Sequence, residues 1–420
     1  MTRRAPLAGL SLVALLALAG CGAAPAPDRA LGPALWTRFA ATPANDAVLA
    51  GSRLAVHWHQ SLGAGPDMLS LSRGVLYVGG INPPYGVYAY DARTGSRLWA
   101  TPLPNQVMTT PLHAHGLIFV GTGNNQWTDP ARTFDLTATG LVRGTGNSAL
   151  VALSARTGRV RWQIATRGEN MPTPVYHHGV LYAVGGGGHV RAVDAGTGRV
   201  LWTYPVPSYV SMSSPTLVGN LLIFGGAHPY AVYAVNIRTH RLAWSTPVPQ
   251  AIGGVDDCSP AVSGGVVVTE ASVGRWGGRH VSDELIALRA ATGQILWRHT
   301  LGTGTTMPQN METAPPLIRS GVVYDSAPVT SRTWALRLSD GQPLWNTTTR
   351  APVKSAPVVH GKALYLADVK GRLYRMDAAT GRIASVQSLG GLVANNYPVL
   401  AGRTLFVADR GTGLWALPVP

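Results

Sequence analysis

The stretch RAVDAGTGRVLW at 191–202 reads as a strand, a tight turn and a second strand closed by a tryptophan. Its core recurs along the chain as DARTGSRLW (91–99), SARTGRVRW (154–162), NIRTHRLAW (236–244), RAATGQILW (289–297) and RLSDGQPLW (337–345). A further copy, DAATGRIAS (377–385), has Ser385 where the others have tryptophan. Anchor positions lie 40 to 63 residues apart. Self-similarity at that period, with strand patterning, is the mark of propeller blades. Each unit opens on a proline-marked strand such as TPLHAHG, TPVYHHG or SPTLVGN, and a dense apolar run such as LIFVG or LLIFGG follows. An alternating strand, the turn and the strand ending in tryptophan complete it. Aromatic and β-branched residues suit pleated surfaces, and glycine accepts the positive φ of a tight turn.

Seven such units lie between Trp58 and Ser385. An eighth starts with YPVLAG, TLFVAD and GLWALPV, and RLAVHW (53–58) stands as an orphan outer strand at the other end of the chain. Pairing the two ends closes a ring and removes two exposed sheet edges. The expected fold is therefore all-β: an eight-bladed β-propeller of four-stranded antiparallel blades, occupying 36–420 as one domain. Trp58, Trp99, Trp162, Trp202, Trp244, Trp297 and Trp345 are expected to wedge between neighbouring blades. A flat apolar ring suits that place. Seven blades with a degenerate end is the alternative.

The N-terminus carries a different signal. Arg3 and Arg4 precede an apolar run, Leu7 to Ala19, that is too short to span a bilayer. It ends in Leu18-Ala19-Gly20-Cys21, which resembles a bacterial lipobox. Residues 1–20 then read as a lipoprotein signal peptide, Cys21 as the lipidated residue and 21–35 as an Ala/Pro tether. The expected location is the cell envelope, with the membrane engaged through the lipid. The formal charge is +15, from 34 Lys and Arg against 19 Asp and Glu. The arginines are scattered among turns rather than gathered in a patch, so nucleic acid is not an expected partner. So few carboxylates would suit an acidic exterior, where few groups change charge on protonation.

The pattern A-x-D-x-x-T-G-x-x-x-W resembles the tryptophan-docking repeat of pyrroloquinoline quinone (PQQ) propellers. WTRFAATPANDAVLAG (36–51) is similar to the lead-in of that superfamily. The resemblance implies one of two functions. One is that of the non-enzymatic lipoproteins similar to the outer-membrane-protein assembly propeller (BamB-like), which implies a monomeric scaffold with an envelope protein partner and no cofactor. The other is a PQQ- and Ca²⁺-dependent dehydrogenase of alcohols or sugars. For the enzyme, GTGNNQW (121–127) resembles the segment whose Asn ligates calcium, which implies Asn124, and Glu169 is the acid nearest the catalytic place. Against it, INPPYGVYAYD (81–91) has prolines and Tyr85 where the dehydrogenases carry a metal-binding Glu and a quinone-binding Arg. GGGGHV (185–190) lacks the cation expected to contact the quinone, and Cys258 has no neighbouring cysteine.

Other candidates come from aligning the blades on the first-strand proline. Met108, Met171 and Met212 then fall at one position in three consecutive blades, at the expected channel mouth. Asp257, beside Cys258, Lys354 and Asn395 fall there in later blades, with Glu312 close. Thioethers and a thiol could hold a soft metal, or the methionines fill irregular space. VDDCSP (255–260) pairs two carboxylates, for a ligand or for loop hydrogen bonds. The histidines of LHAHG (112–116) and YHHG (176–179) are expected on solvent-exposed turns. The role of the insertion at 122–147 is left open.

Overall fold

The computed structural model describes residues 38–49, 54–123, 134–137, 140–144, 146–275, 280–305, 312–393, 397–411 and 413–420. Cys21, Asn124 and Asn395 lie outside these. Among the described residues no helix is long and apolar enough to cross a membrane. Eight antiparallel sheets follow one another: blade 1 (66–102), blade 2 (112–166), blade 3 (175–205), blade 4 (216–247), blade 5 (251–304), blade 6 (317–348), blade 7 (358–388) and blade 8 (399–418 with 58–60). Blade 3 shows the plain form, with Val175–His177, Val180–Ala183, His189–Asp194 and Val200–Pro205 paired in that order. The first strand is innermost. Second strands are almost wholly buried, as in Leu117–Gly121, while fourth strands alternate between exposed and half-buried, as in Val200–Pro205.

The repeated turn explains its own residues. In DARTG the Asp91 carboxylate accepts the backbone N–H of Arg93 and of Thr94, at 2.9 and 2.8 Å, and also the Thr94 hydroxyl. Asp194 and Asp377 hold their turns in the same way. The glycine that follows has φ +73° at Gly95 and +77° at Gly198, and the indole of the preceding blade lies flat against it. A Cβ on Gly158 would come within 2.6 Å of the Trp99 ring, and one on Gly341 within 2.6 Å of Trp297. The indole N–H then donates to a backbone carbonyl of the next blade: Trp58 to Ala92, Trp99 to Ala155, Trp162 to Ala195, Trp244 to Ala290, Trp297 to Leu338 and Trp345 to Ala378, all at 2.8–3.0 Å. Blade 4 has no turn glycine. His240 takes its place at φ +56° and stacks on Trp202, with ring centroids 4.6 Å apart.

Ring closure is as the sequence suggests, with one shift. The outer strand of blade 8 is Trp58–Gln60 and pairs antiparallel with Gly413–Pro418, Trp58 opposite Ala416. The expected strand at 53–58 thus lies too early. Leu54 and Val56 instead anchor backbone groups to Arg403 and Thr404. Blade 8 therefore takes its third and fourth strands from opposite ends of the chain and has no turn between them. That turn is what a blade 7 tryptophan would dock on, so a tryptophan at Ser385 would find neither the turn glycine nor the turn carbonyl that the other indoles meet.

Residues 38–49 run along the axis and bind the innermost strands of several blades. Val262 and Ile318 donate their N–H to the carbonyls of Pro43 and Ala44. The Asn45 amide donates to Ser259 and Pro316 at 2.9 and 3.0 Å, and Val48–Leu49 pairs parallel with Val399–Ala401. Phe39 meets Tyr397 edge-on at 4.8 Å, and the Tyr397 hydroxyl binds the N–H of Ala40 and the Thr110 hydroxyl.

Truncating a docking indole removes a buried ring and leaves a carbonyl unpaired. Trp297→Ala is expected to cost about 3–5 kcal/mol, read as a lowered denaturant midpoint. A midpoint within ~0.5 kcal/mol of the parent would show that the wedge is not structural.

Candidate functional site

Loops that enter the innermost strands, with the blade 2 insertion, the blade 8 hairpin and the first strand of blade 1, bring charged and phenolic side chains together. Blade 2 carries an inserted hairpin, Phe134–Thr137 with Gly140–Arg143, within the 122–147 segment. Its last residue, Arg143, pairs with Glu169 at the entry of blade 3, Nε to Oε1 at 3.2 Å, with Glu169 only 1% exposed. The backbone fixes this placement. Arg143 donates its N–H to Gly186 and accepts from Glu169 at 2.9 and 3.0 Å. A Cβ at Gly186 would strike the Arg143 carbonyl, and one at Gly185 the Glu169 carbonyl. The GGGG turn is thus bare so that the insertion can lie against it. The cation that this turn lacks arrives from the preceding blade.

Asp256 and Asp257 enter with blade 5, and Tyr209 precedes blade 4. Glu312 meets Lys354 at 3.3 Å, and Arg410 of blade 8 meets Asp67 of blade 1 at 3.0 Å. The fields of these groups overlap. Burial pushes the Glu169 carboxyl up to about 7, with Arg143 opposing and Asp257 adding to the shift. Burial likewise pushes Asp256 up to about 6, against Arg143 and with Glu169 and Glu312. Asp257 rises well above the carboxylate range through burial and its neighbour Asp256. Burial alone would lower the Arg143 guanidinium, but Glu169, Asp257 and Asp256 hold it above its ordinary value. Protonated carboxyls around a fixed cation can donate protons or hydrogen bonds to an anionic ligand.

Of the residues singled out in the sequence, Glu169, Asp256, Asp257, Glu312 and Lys354 lie in this belt. Met108, Met171 and Met212 are buried beside it in one apolar cluster with Phe39, Ala40 and Tyr397. Cys258 is fully buried, and burial, with Asp325 adding, pushes its thiol up to about 12. A thiol held protonated in that way is a poor nucleophile and metal ligand. Its Sγ accepts the Glu270 N–H at 3.3 Å, within a second set of buried acids, Glu270, Asp283 and Asp325, all raised by burial. Among the described residues no three His, Cys, Asp or Glu side chains are grouped to hold a metal ion.

Glu169 is paired with Arg143, and Asn124, the calcium ligand that the resemblance implies, lies outside the described residues. The histidine expectation needs one correction. His113 is 4% exposed, binds the Ser72 hydroxyl through Nδ1 at 2.7 Å, and is pushed down to about 4 by burial and Arg73. It faces the first strand of blade 1 rather than solvent, because every residue of the innermost strand Leu112–Ala114 is buried. His115 and His178 are exposed. Arg143, Asp67 and Arg410 were not singled out in the sequence. Each lies in a different blade from its partner, and no local pattern marks such pairs.

The sequence profile of the family described as "Outer membrane protein assembly factor BamB" matches residues 26–140, 136–275, 253–387 and 281–418. The chain belongs to this family. Among curated relatives of this BamB family member, the tetrathionate hydrolase of Acidithiobacillus ferrooxidans is 28% identical over 79% of this chain and 68% of its own length. That of Acidianus ambivalens is 28% identical over 87% and 72%. Outer membrane protein assembly factor BamB of Yersinia pestis is 26% identical over 79% of both chains. The crystal structure of BamB from Moraxella catarrhalis superposes with TM-score 0.63 at 16% identity, over 86% of this chain and 97% of that one. A europium-containing methanol dehydrogenase superposes with TM-score 0.63 at 15% identity, over 91% of both. These two likenesses establish the fold.

The belt has a thermodynamic consequence. Glu169 and Asp256 bind protons more tightly in the folded chain, at about 7 and 6, than in the unfolded chain, where the values lie near ~4. Their stabilising contribution is complete below about pH 4 and is lost as pH rises through about 6–7. Denaturant midpoints measured between pH 4 and 7 are expected to fall with rising pH, and to fall less in Glu169→Gln. An equal slope in the variant would remove Glu169 from this account.

Proposed function

We propose that the protein is an envelope-anchored, non-enzymatic scaffold whose outer strands hold protein partners. The carrying observation is a set of exposed apolar side chains one or two residues before the docking tryptophan on the fourth strands of blades 1 to 6. They are Leu98, Val160, Leu201, Leu242, Leu296 and Leu344, with Leu98 52% and Leu344 47% exposed. Outer strands also offer unpaired backbone edges for strand addition. Membership of the BamB family supports the assembly role, and the lipobox-like Leu18-Ala19-Gly20-Cys21 supports the anchor. Cys21→Ser is expected to move the protein from the membrane to the soluble fraction. Photo-crosslinkers placed at Leu98 and Leu296 in the intact envelope are expected to trap discrete proteins. Absence of crosslinks at both places would remove the outer strands as the partner surface.

A second reading is favoured by one observation, the raised Glu169, Asp256 and Asp257 carboxyls around Arg143. Tetrathionate is a dianion, and a fixed guanidinium among proton donors suits such a substrate in acid. The two tetrathionate hydrolases among the relatives support it. Loss of tetrathionate would be followed with purified protein at pH 3 to 6. Turnover abolished by Arg143→Gln would establish this reading over the scaffold, and no turnover at any pH would end it.

A further inference from the structure

Blade 7 interrupts the rule that the other blades follow. Ser385 is exposed where other blades carry an indole. Beside it lies a cleft of about 200 Å³ lined by Tyr365, Leu373, Arg375, Gln387 and Leu417. Pockets for small ligands run about 300–1,000 Å³, so this one is sized for a single side chain. Through Arg375 and Pro420 it joins a second cleft of about 420 Å³, and through Gly361, Lys362 and Asp377 that one joins a third of about 590 Å³. The three form a continuous groove around blade 7, from Tyr324 and Leu344 to Ser385 and Leu417.

We propose that this groove binds an extended acidic segment of a protein partner, anchored by one aromatic side chain in the cleft beside Ser385. The proposal rests on the scaffold reading and names the kind of partner. The molecule itself shows what fits the cleft, because indoles fill the corresponding gap at the other blade junctions. Charge sets the rest of the partner's chemistry. Arg319, Lys362, Arg375 and Arg382 line the groove against Asp377. The Asp377 carboxylate is already taken by the N–H groups of Ala379 and Thr380, and Arg319 is paired with Asp46. Arg375 is half-buried at the cleft and approaches the Tyr365 hydroxyl. A carboxylate supplied by the partner would pair with the accessible side of its guanidinium.

The outer strand next to the cleft is short. Fourth strands elsewhere have at least six residues, as in Arg97–Pro102 or Ile383–Ser388, but Trp58–Gln60 has three. Its pairing covers Leu414, Trp415 and Ala416, so Pro418, which is exposed and lines the cleft, lies beyond it.

The test uses the full chain and a fluorescein-labelled peptide of five acidic residues and one central tryptophan, read by anisotropy. Saturable binding is expected. It should weaken by about tenfold or more when the peptide tryptophan becomes alanine, and likewise in Arg375→Gln. Ser385→Trp places an indole from the chain's own blade in the cleft, so it should abolish binding while keeping the unfolding midpoint at or above the parent's. That midpoint separates a filled cleft from a misfolded protein. No saturable binding, equal binding by a lysine-for-acid peptide, or unchanged binding in Ser385→Trp overturns the proposal. The crosslinks at Leu98 and Leu296 are read in the same Ser385→Trp strain. Their persistence without peptide binding to the parent protein leaves the scaffold standing and overturns the groove. Peptide binding without crosslinks supports the groove and overturns the outer-strand surface.

Discussion

The indole of one blade, lying on the turn glycine of the next and donating its N–H to that blade's carbonyl, is the contact on which the ring depends. It combines a large apolar burial with a directional hydrogen bond, so it fixes both the distance and the angle between neighbours. Hydroxyls reinforce it, since Thr101, Thr246 and Thr347 donate to the carbonyls of Gly158, Gly293 and Gly381 at 2.6–2.8 Å. A β-sheet alone carries no such instruction about where its neighbour sits. Where the contact is absent, between blades 7 and 8, the backbone connection that would complete it is absent as well, and the molecule is at its most open there.

Rigid spacing of the blades is what makes the axial belt possible. Arg143 and Glu169 come from separate blades, as do Asp67 and Arg410 and also Glu312 and Lys354. An ion pair of this kind is worth having only if its geometry holds, because desolvating each partner costs several kcal/mol when the other strays. The close backbone contacts at Gly185 and Gly186 keep Arg143 from straying. The axial segment 38–49 adds bonds to the inner strands of blades 5, 6 and 8, so the ring is braced from within as well as between its blades.

The repeat, the blade number and the use of both chain ends to finish blade 8 were legible in the sequence, because each follows from a local pattern read at a fixed period. The turn aspartate and glycine declare their conformation wherever they stand. The belt was only half legible. Glu169, Asp257 and Lys354 could be found by aligning blade entries, but Arg143 sits in an insertion with no counterpart in other blades. Asp67 occupies a first strand, where a carboxylate is unexpected. His113 was misplaced because a histidine two residues from a turn has no local mark of whether it points inward. Such facts are set by contacts across tens to hundreds of residues, which no window of sequence contains.

The distribution of acids joins the site to the surface. Among the described residues eight carboxylates, Asp46, Asp67, Glu169, Asp256, Asp257, Glu270, Asp283 and Asp325, have their pKa raised, each chiefly by burial. The formal charge of +15 counts all of them as ionised. Every one that holds its proton makes the folded molecule more positive than that figure. Arginines of the turns, such as Arg93, Arg156 and Arg199, are exposed and keep their charged heads in water, so part of the excess is displayed on the outside. A fold that hides its acids keeps much of its charge pattern as pH falls, and the surface it offers throughout is one that attracts anions. The groove around blade 7, where Lys362, Arg375 and Arg382 face one occupied carboxylate, concentrates that property beside the blade 7–8 gap in the ring of indoles.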